Sequence, residues 1–175
     1  MSTPPLASAK TVILVDTTAI IEAVRTKCWN ALVGGRRVET VEECCNEARR
    51  GDTLRYGYVE VTDEELGRLR RVHDVDRKIE AQFGLAYPGA TGMDKGERHL
   101  FAHAYARIAA GDDVWVISSA DKASVRAAIE LEWGDRLHSL EALAKSVGAT
   151  PKPALDEQHT EAWLVRMRTQ YRLGV

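Results

Sequence analysis

Two short apolar runs stand out along the chain, Val12-Ile13-Leu14-Val15 and Val114-Trp115-Val116-Ile117. Neither alternates with polar residues, and unbroken runs of this length read as strands buried on both faces. Between and beyond them the apolar positions take up helical spacing. Residues 11–16 are predicted as a strand, followed by one helix over 17–33 with Ile20, Ile21, Val24, Trp29 and Leu32 inward and Gly34-Gly35 as its stop. "RRVET" (36–40) reads as a short strand. A helix over 40–50 then opens on a Thr40-x-x-Glu43 capping box and ends at Gly51. "RYGYVEV" (55–61) is a further strand, and Thr62-x-x-Glu65 a second capping box, heading a helix with Leu66, Leu69 and Val72 on one side. "LAYPGATG" (85–92) reads as a loop. Helix 94–110 carries the stripe Leu100, Phe101, Ala104 and Ile108, and Gly111 ends it. The strand around 113–119, a helix over 120–134, a short strand and helix in "RLHSLEALAKSVG", and a Pro-interrupted linker with a final helix complete the pattern.

Strands alternating with helices imply an α/β fold, a mostly parallel sheet with helices on both faces. In such sheets ligands bind where the strands end at their carboxyl side. At 175 residues the chain suits one main domain over 11–148, with a loose segment over 1–10 and a linker and helix over 149–175.

Composition changes this picture little. Hydrophobic residues make up 45% and charged ones 29%, ordinary for a globular protein. A net charge of −2 supplies no global basic field, so any nucleic-acid contact must come from local patches. The odd set Cys28, Cys44 and Cys45, without a C-x-x-C pair, suggests reduced thiols and a cytoplasmic protein. No run approaches the ~20 apolar residues of a membrane span, so no membrane partner is expected.

The candidate chemistry lies in acids that interrupt the apolar pattern. Asp16 sits where the first buried strand stops, and Asp121 lies just past the second. Glu97 falls on the buried stripe of helix 94–110, seven residues before Ala104, with Asp94 one turn earlier. Glu47 lies at the edge of the Val41, Cys44, Cys45 and Ala48 face, whereas Glu43 has a capping-box role. Each acid alone is explained by helix capping or a first-turn charge. Gathered together they would repel and need a counter-ion, and oxygen ligands suit Mg²⁺ or Mn²⁺. The five histidines show no zinc-like spacing beside an acid, and the four tryptophans lack interleaved basic residues.

At these positions the chain resembles the PIN-domain ribonucleases. "VILVDTTAII" is similar to the family's first strand with its Asp-Thr/Ser, and "ETVEECCNEARRG" to the helix bearing the second acid, placed at Glu47. "GMDKGERHLFAHAYA" resembles the D-x-G-E helix with the third acid, Glu97, and "VWVISSADKASVRAA" the strand ending in Ser/Thr-x-Asp, giving Ser119 and Asp121. The resemblance covers roughly 11–148. It implies a PIN-like three-layer sandwich and a metal-dependent endoribonuclease. Asp16, Glu47, Glu97 and Asp121 would be catalytic; Asp16, Asp94, Glu97 and Asp121 would hold Mg²⁺ or Mn²⁺. Such an ion would polarise the scissile phosphate and activate a water. Thr17, Thr18 and Ser119 would orient the carboxylates. Arg36, Arg37, Arg49 and Arg50, which flank the second acid in sequence, would contact RNA. Further expected partners are an antitoxin-like protein, as for a toxin–antitoxin toxin, and a second copy of the chain in a homo-oligomer. Where relatives carry a second acid, this chain has Ala120.

Two rivals remain open. One is a PIN-like RNA- or protein-binding module with weak catalysis. The other is an α/β phosphatase using Asp16 as aspartyl nucleophile, although Thr18 stands where a D-x-D motif needs its second acid.

Overall fold

The computed structural model describes residue 6, residues 8–51 and residues 59–174. Among them, four strands form one all-parallel sheet: β1 (Val12–Val15), β2 (Arg37–Val41), β3 (Arg71–His73) and β4 (Trp115–Ser118), in the order β3-β2-β1-β4. The two apolar runs are its adjacent central strands, β1 and β4, every residue of which is buried. The architecture is α/β and consistent with three layers. No helix among the described residues is long and apolar enough to cross a membrane.

The helix expected over 17–33 is two, α1 (Thr17–Arg25) and α2 (Trp29–Gly35). The Thr26 hydroxyl bonds back to the Glu22 carbonyl at 2.7 Å, and Lys27 adopts a positive φ of 60° that no helix continues through. Helix α3 (Glu42–Arg50) lacks the predicted capping box. Strand β2 runs on through Thr40, whose hydroxyl donates to the Val15 carbonyl at 2.6 Å instead. The box at Thr62 does form, on the short α4 (Asp63–Leu66).

The strand expected over 55–61 falls mostly outside the described residues, and 59–61 are not in a strand. The edge strand is β3, so Val72 lies in a strand rather than on a helix face. Asp76 then caps α5 (Arg77–Ala86), accepting from the Ile79 amide at 2.8 Å. The loop expected over 85–92 is the end of α5 followed by a 3-10 turn over Pro88–Gly92. Helices α6 (Lys95–Ala109), α7 (Lys122–Glu130), α8 (Leu140–Ser146) and α9 (Glu161–Leu173) follow their predicted places. The short strand before α8 is reduced to a single parallel bridge between Leu137 and Ile117. The C-terminal helix is not a free appendage: Trp163, Leu164 and Met167 of α9 are buried in the common core.

Candidate functional site at the carboxyl ends of the strands

Parallel pairing of Val15 with Ser118 brings the carboxyl ends of β1 and β4 level. Asp16 and Ser119 therefore leave the sheet side by side. The Ser119 hydroxyl donates to Asp16 Oδ2 at 2.5 Å, and the Thr18 hydroxyl bonds the same carboxylate at 2.9–3.0 Å. Asp16 also caps α1, its Oδ1 accepting from the Ala19 amide at 2.7 Å. Only 1% of Asp16 is exposed. Burial pushes its carboxyl up to about 6, against the pull of the Ser119, Ala19 and Thr18 hydrogen bonds and with a push from the Asp94 charge.

The other predicted acids arrive from two more helix starts. Asp94 caps α6, accepting from the Glu97 amide at 2.8 Å, and Asp121 caps α7, accepting from the Ala123 amide at 2.6 Å. Capping thus accounts for the sequence positions of Asp16, Asp94 and Asp121, and it does so at one end of the sheet. Glu97 is different. It is 4% exposed, and no side chain among the described residues hydrogen-bonds its carboxyl, which only a backbone hydrogen bond from Asp94 pulls down. Burial, then the charges of Asp16, Asp121 and Asp94, push that carboxyl up to about 9. Those causes make the three acids the main charges acting on Glu97.

Glu47 reaches the same region from α3. Its Oε2 accepts from the Thr17 hydroxyl at 2.6 Å and its Oε1 from the Gly96 amide at 3.0 Å, so it ties the starts of α1 and α6 together. A Cβ at position 96 would run into this carboxylate, so the contact requires glycine. The sequence held the signal, because a glycine in a helix costs ~1 kcal/mol and calls for a packing reason. Glu43, freed of the capping role assigned from sequence, pairs with Lys95 at 2.8 Å and Arg50 at 3.3 Å. Lys95 was not singled out from the sequence, although a cation in the first turn of a helix opposes the dipole and invites an explanation.

The four arginines divide. Arg49 and Arg50 stay near, on the last turn of α3, bonded to Asp63 at 2.7 Å and to Glu43. Arg36 and Arg37 do not flank the acids. Arg37 pairs with Val12 at the start of β1, the opposite end of the sheet from Asp16. A linear reading had set them beside Glu47, but a strand and part of a helix carry the chain across the molecule between these residues.

Whether the acids suit a divalent cation turns on their free oxygens. A carboxylate accepts about four hydrogen bonds, and the three donors on Asp16 leave room for one more ligand. Glu97, bonded among the described residues only from the Asp94 backbone, keeps most of its acceptor capacity once deprotonated, and hard oxygen donors suit Mg²⁺ or Mn²⁺. Among the described residues no three His, Cys, Asp or Glu side chains already converge as a ready metal site. The donor set fits such an ion in chemistry and in charge. All three cysteines are reduced and buried, and burial holds the Cys44 and Cys45 thiols well above their usual range, so they are packing groups rather than ligands.

No protein-family model, no curated protein and no solved structure matches the chain.

Proposed function

We propose that the chain is a PIN-like, divalent-metal-dependent endoribonuclease acting at this acidic end. The observation that carries the reading is Glu97, a buried carboxyl that no side chain among the described residues hydrogen-bonds, pushed up to about 9 by burial and by Asp16, Asp121 and Asp94. Such a crowd of unneutralised acids destabilises the metal-free fold, and perturbed groups of this kind concentrate at functional sites. Support also comes from the position of the cluster at the carboxyl ends of parallel strands.

Asp16, Asp94, Glu97 and Asp121 would hold Mg²⁺ or Mn²⁺. When bound, the ion would polarise a phosphodiester and lower the pKa of a water. The chain's own part is positional. Ser119 and Thr18 fix the Asp16 carboxylate by donating to it. Glu47, with both oxygens bonded to Thr17 and Gly96, locks α1 against α6 and adds a negative charge, which makes it a positioning residue. Lys95, Arg49 and Arg50 form the basic rim available to an RNA backbone. The aspartyl-nucleophile reading fits less well, because Asp16 is nearly inaccessible and both its oxygens are hydrogen-bonded.

The test is cleavage of mixed RNAs with and without Mn²⁺, wild type beside Asp16→Asn. Cleavage that needs Mn²⁺ and falls at least ~100-fold in the variant supports the reading. Equal cleavage by both proteins refutes the assignment to these acids.

A further inference from the structure

The amino end of the sheet has the opposite character. A cavity of about 410 Å³ opens there, lined by Lys10, Arg37, Arg70, Arg71 and Arg107 against the acids Glu39 and Asp112. Val12 and Val114 supply an apolar part of its wall. The cations come from separate parts of the fold: the segment before β1, the first residue of β2, β3 with the residue before it, and α6.

The two acids are already committed. Glu39 is 4% exposed and serves three partners, His73 at 2.7 Å, Arg70 at 3.3 Å and Arg107 at 3.3 Å. Asp112 holds the other end of the Arg107 guanidinium at 2.7 Å. Arg107 is thereby fixed by two carboxylates, yet its buried Nε has no hydrogen-bond partner among the described residues. Lys10, Arg37 and Arg71 have no carboxylate partner among them either. Five cations against two shared acids leave an uncompensated positive charge in a concave site. Like charges so gathered repel unless an anion joins them.

We propose that this cavity binds a small phosphate-bearing anion, with Arg37 and Arg71 as its principal ligands and Arg107 as a fixed floor. Guanidinium groups match phosphate with paired hydrogen bonds, which a lysine-rich surface would not do. The volume lies in the ~300–1,000 Å³ range of small-molecule sites. Convergence of the arginines on one hollow favours a compact ligand over a polymer backbone, which is tracked by a groove. The site is separate from the acidic end and does not depend on the function proposed there.

Calorimetric titration with pyrophosphate and with adenosine monophosphate tests this, on wild type, Arg37→Gln/Arg71→Gln and Asp16→Asn. Wild type is expected to bind at least one probe with Kd below about 1 mM. The double variant should bind ~100-fold more weakly, about tenfold for each charged hydrogen-bonding partner removed. Asp16→Asn should bind as wild type does. Tighter pyrophosphate means that the anion alone is recognised, and tighter adenosine monophosphate that a nucleoside is read as well; both sustain the proposal. Should the double variant fail to fold, amide shifts in wild type decide: they must centre on residues 10–12, 37–39 and 70–72. Binding of neither probe, equal binding by the double variant, loss in Asp16→Asn, or binding of a longer RNA alone would overturn it.

Discussion

Glu97 and Glu39 are both glutamates on core elements, each 4% exposed, and they end in opposite states. Around Glu97 the neighbouring charges are Asp16, Asp121 and Asp94, and its carboxyl is pushed up to about 9. Around Glu39 burial pushes the same way. The His73 hydrogen bond and the charges of His73, Arg107 and Arg70 outweigh it and hold that carboxyl below the usual range. Burial alone therefore does not decide whether a carboxyl keeps its proton; the neighbours decide. At the amino end the fold supplies the cations that a buried acid needs. At the carboxyl end the charges acting on Glu97 are all acidic, and the basic residues there, Lys95 and Arg50, pair with Glu43 instead.

The largest effect should come from breaking the ion-pair network of Glu39. Glu39→Ala leaves His73 and Arg70 without their carboxylate and Arg107 with Asp112 alone. Loss of one partner from a buried ionic network costs about 3–5 kcal/mol. Urea unfolding should show that loss, and a cost below ~1 kcal/mol would mean that the network is solvated.

The same operation at the other end should have the opposite sign. Glu97→Gln removes a carboxyl that must take up a proton on folding near pH 8, so the metal-free protein should gain on the order of 1–3 kcal/mol there. The sign follows from proton counts. With the folded carboxyl raised to about 9 from a model value of 4.5, the folded state binds more protons between those values. Its contribution to stability is therefore full below the unfolded pKa and is lost as pH rises through the folded one. The gain in Glu97→Gln should shrink to nothing towards pH 4, and a gain independent of pH would point to packing instead. Asp16, raised to about 6, adds a smaller loss of the same sign at lower pH.

How far this contrast was legible in the sequence follows from where the partners come from. Asp16, Glu97 and Asp121 stood out because unbroken apolar strands and a long helical stripe fix their register locally. The parallel pairing of β1 with β4 then brings Asp16 and Asp121 to one end, while Glu97 arrives separately on α6. Glu39 was invisible inside "RRVET", since its partners His73 and Arg107 lie 34 and 68 residues further along the chain. The two capping boxes make the same point. Thr62-x-x-Glu65 closed as its motif demands, while Thr40-x-x-Glu43 did not. Strand β2 had claimed Thr40, and Lys95 and Arg50 had claimed Glu43. Local motifs hold where no tertiary partner competes for the same groups.

The smallest effect should separate the two glutamates of α3. Glu43 makes exposed pairs with Lys95 and Arg50, and Glu43→Gln should shift stability by less than about 1 kcal/mol. Glu47→Gln keeps one acceptor oxygen but presents an amide where both Thr17 and Gly96 donate, so one of them loses its partner. Its Mn²⁺-dependent cleavage should fall while Glu43→Gln retains it. The reverse result would place the second acid at Glu43.

The contrast between the two ends rests on the acidic one being a cation site, and melting with Mn²⁺ tests this most directly. A cation that binds only the folded state stabilises by roughly 2.7 kcal/mol at a hundredfold excess over its Kd. In a chain of this size that amounts to about 5 °C or more. Wild type should show that rise on addition of Mn²⁺, and Asp16→Asn/Asp121→Asn should not. Equal rises in the two proteins, or none in wild type, would contradict it.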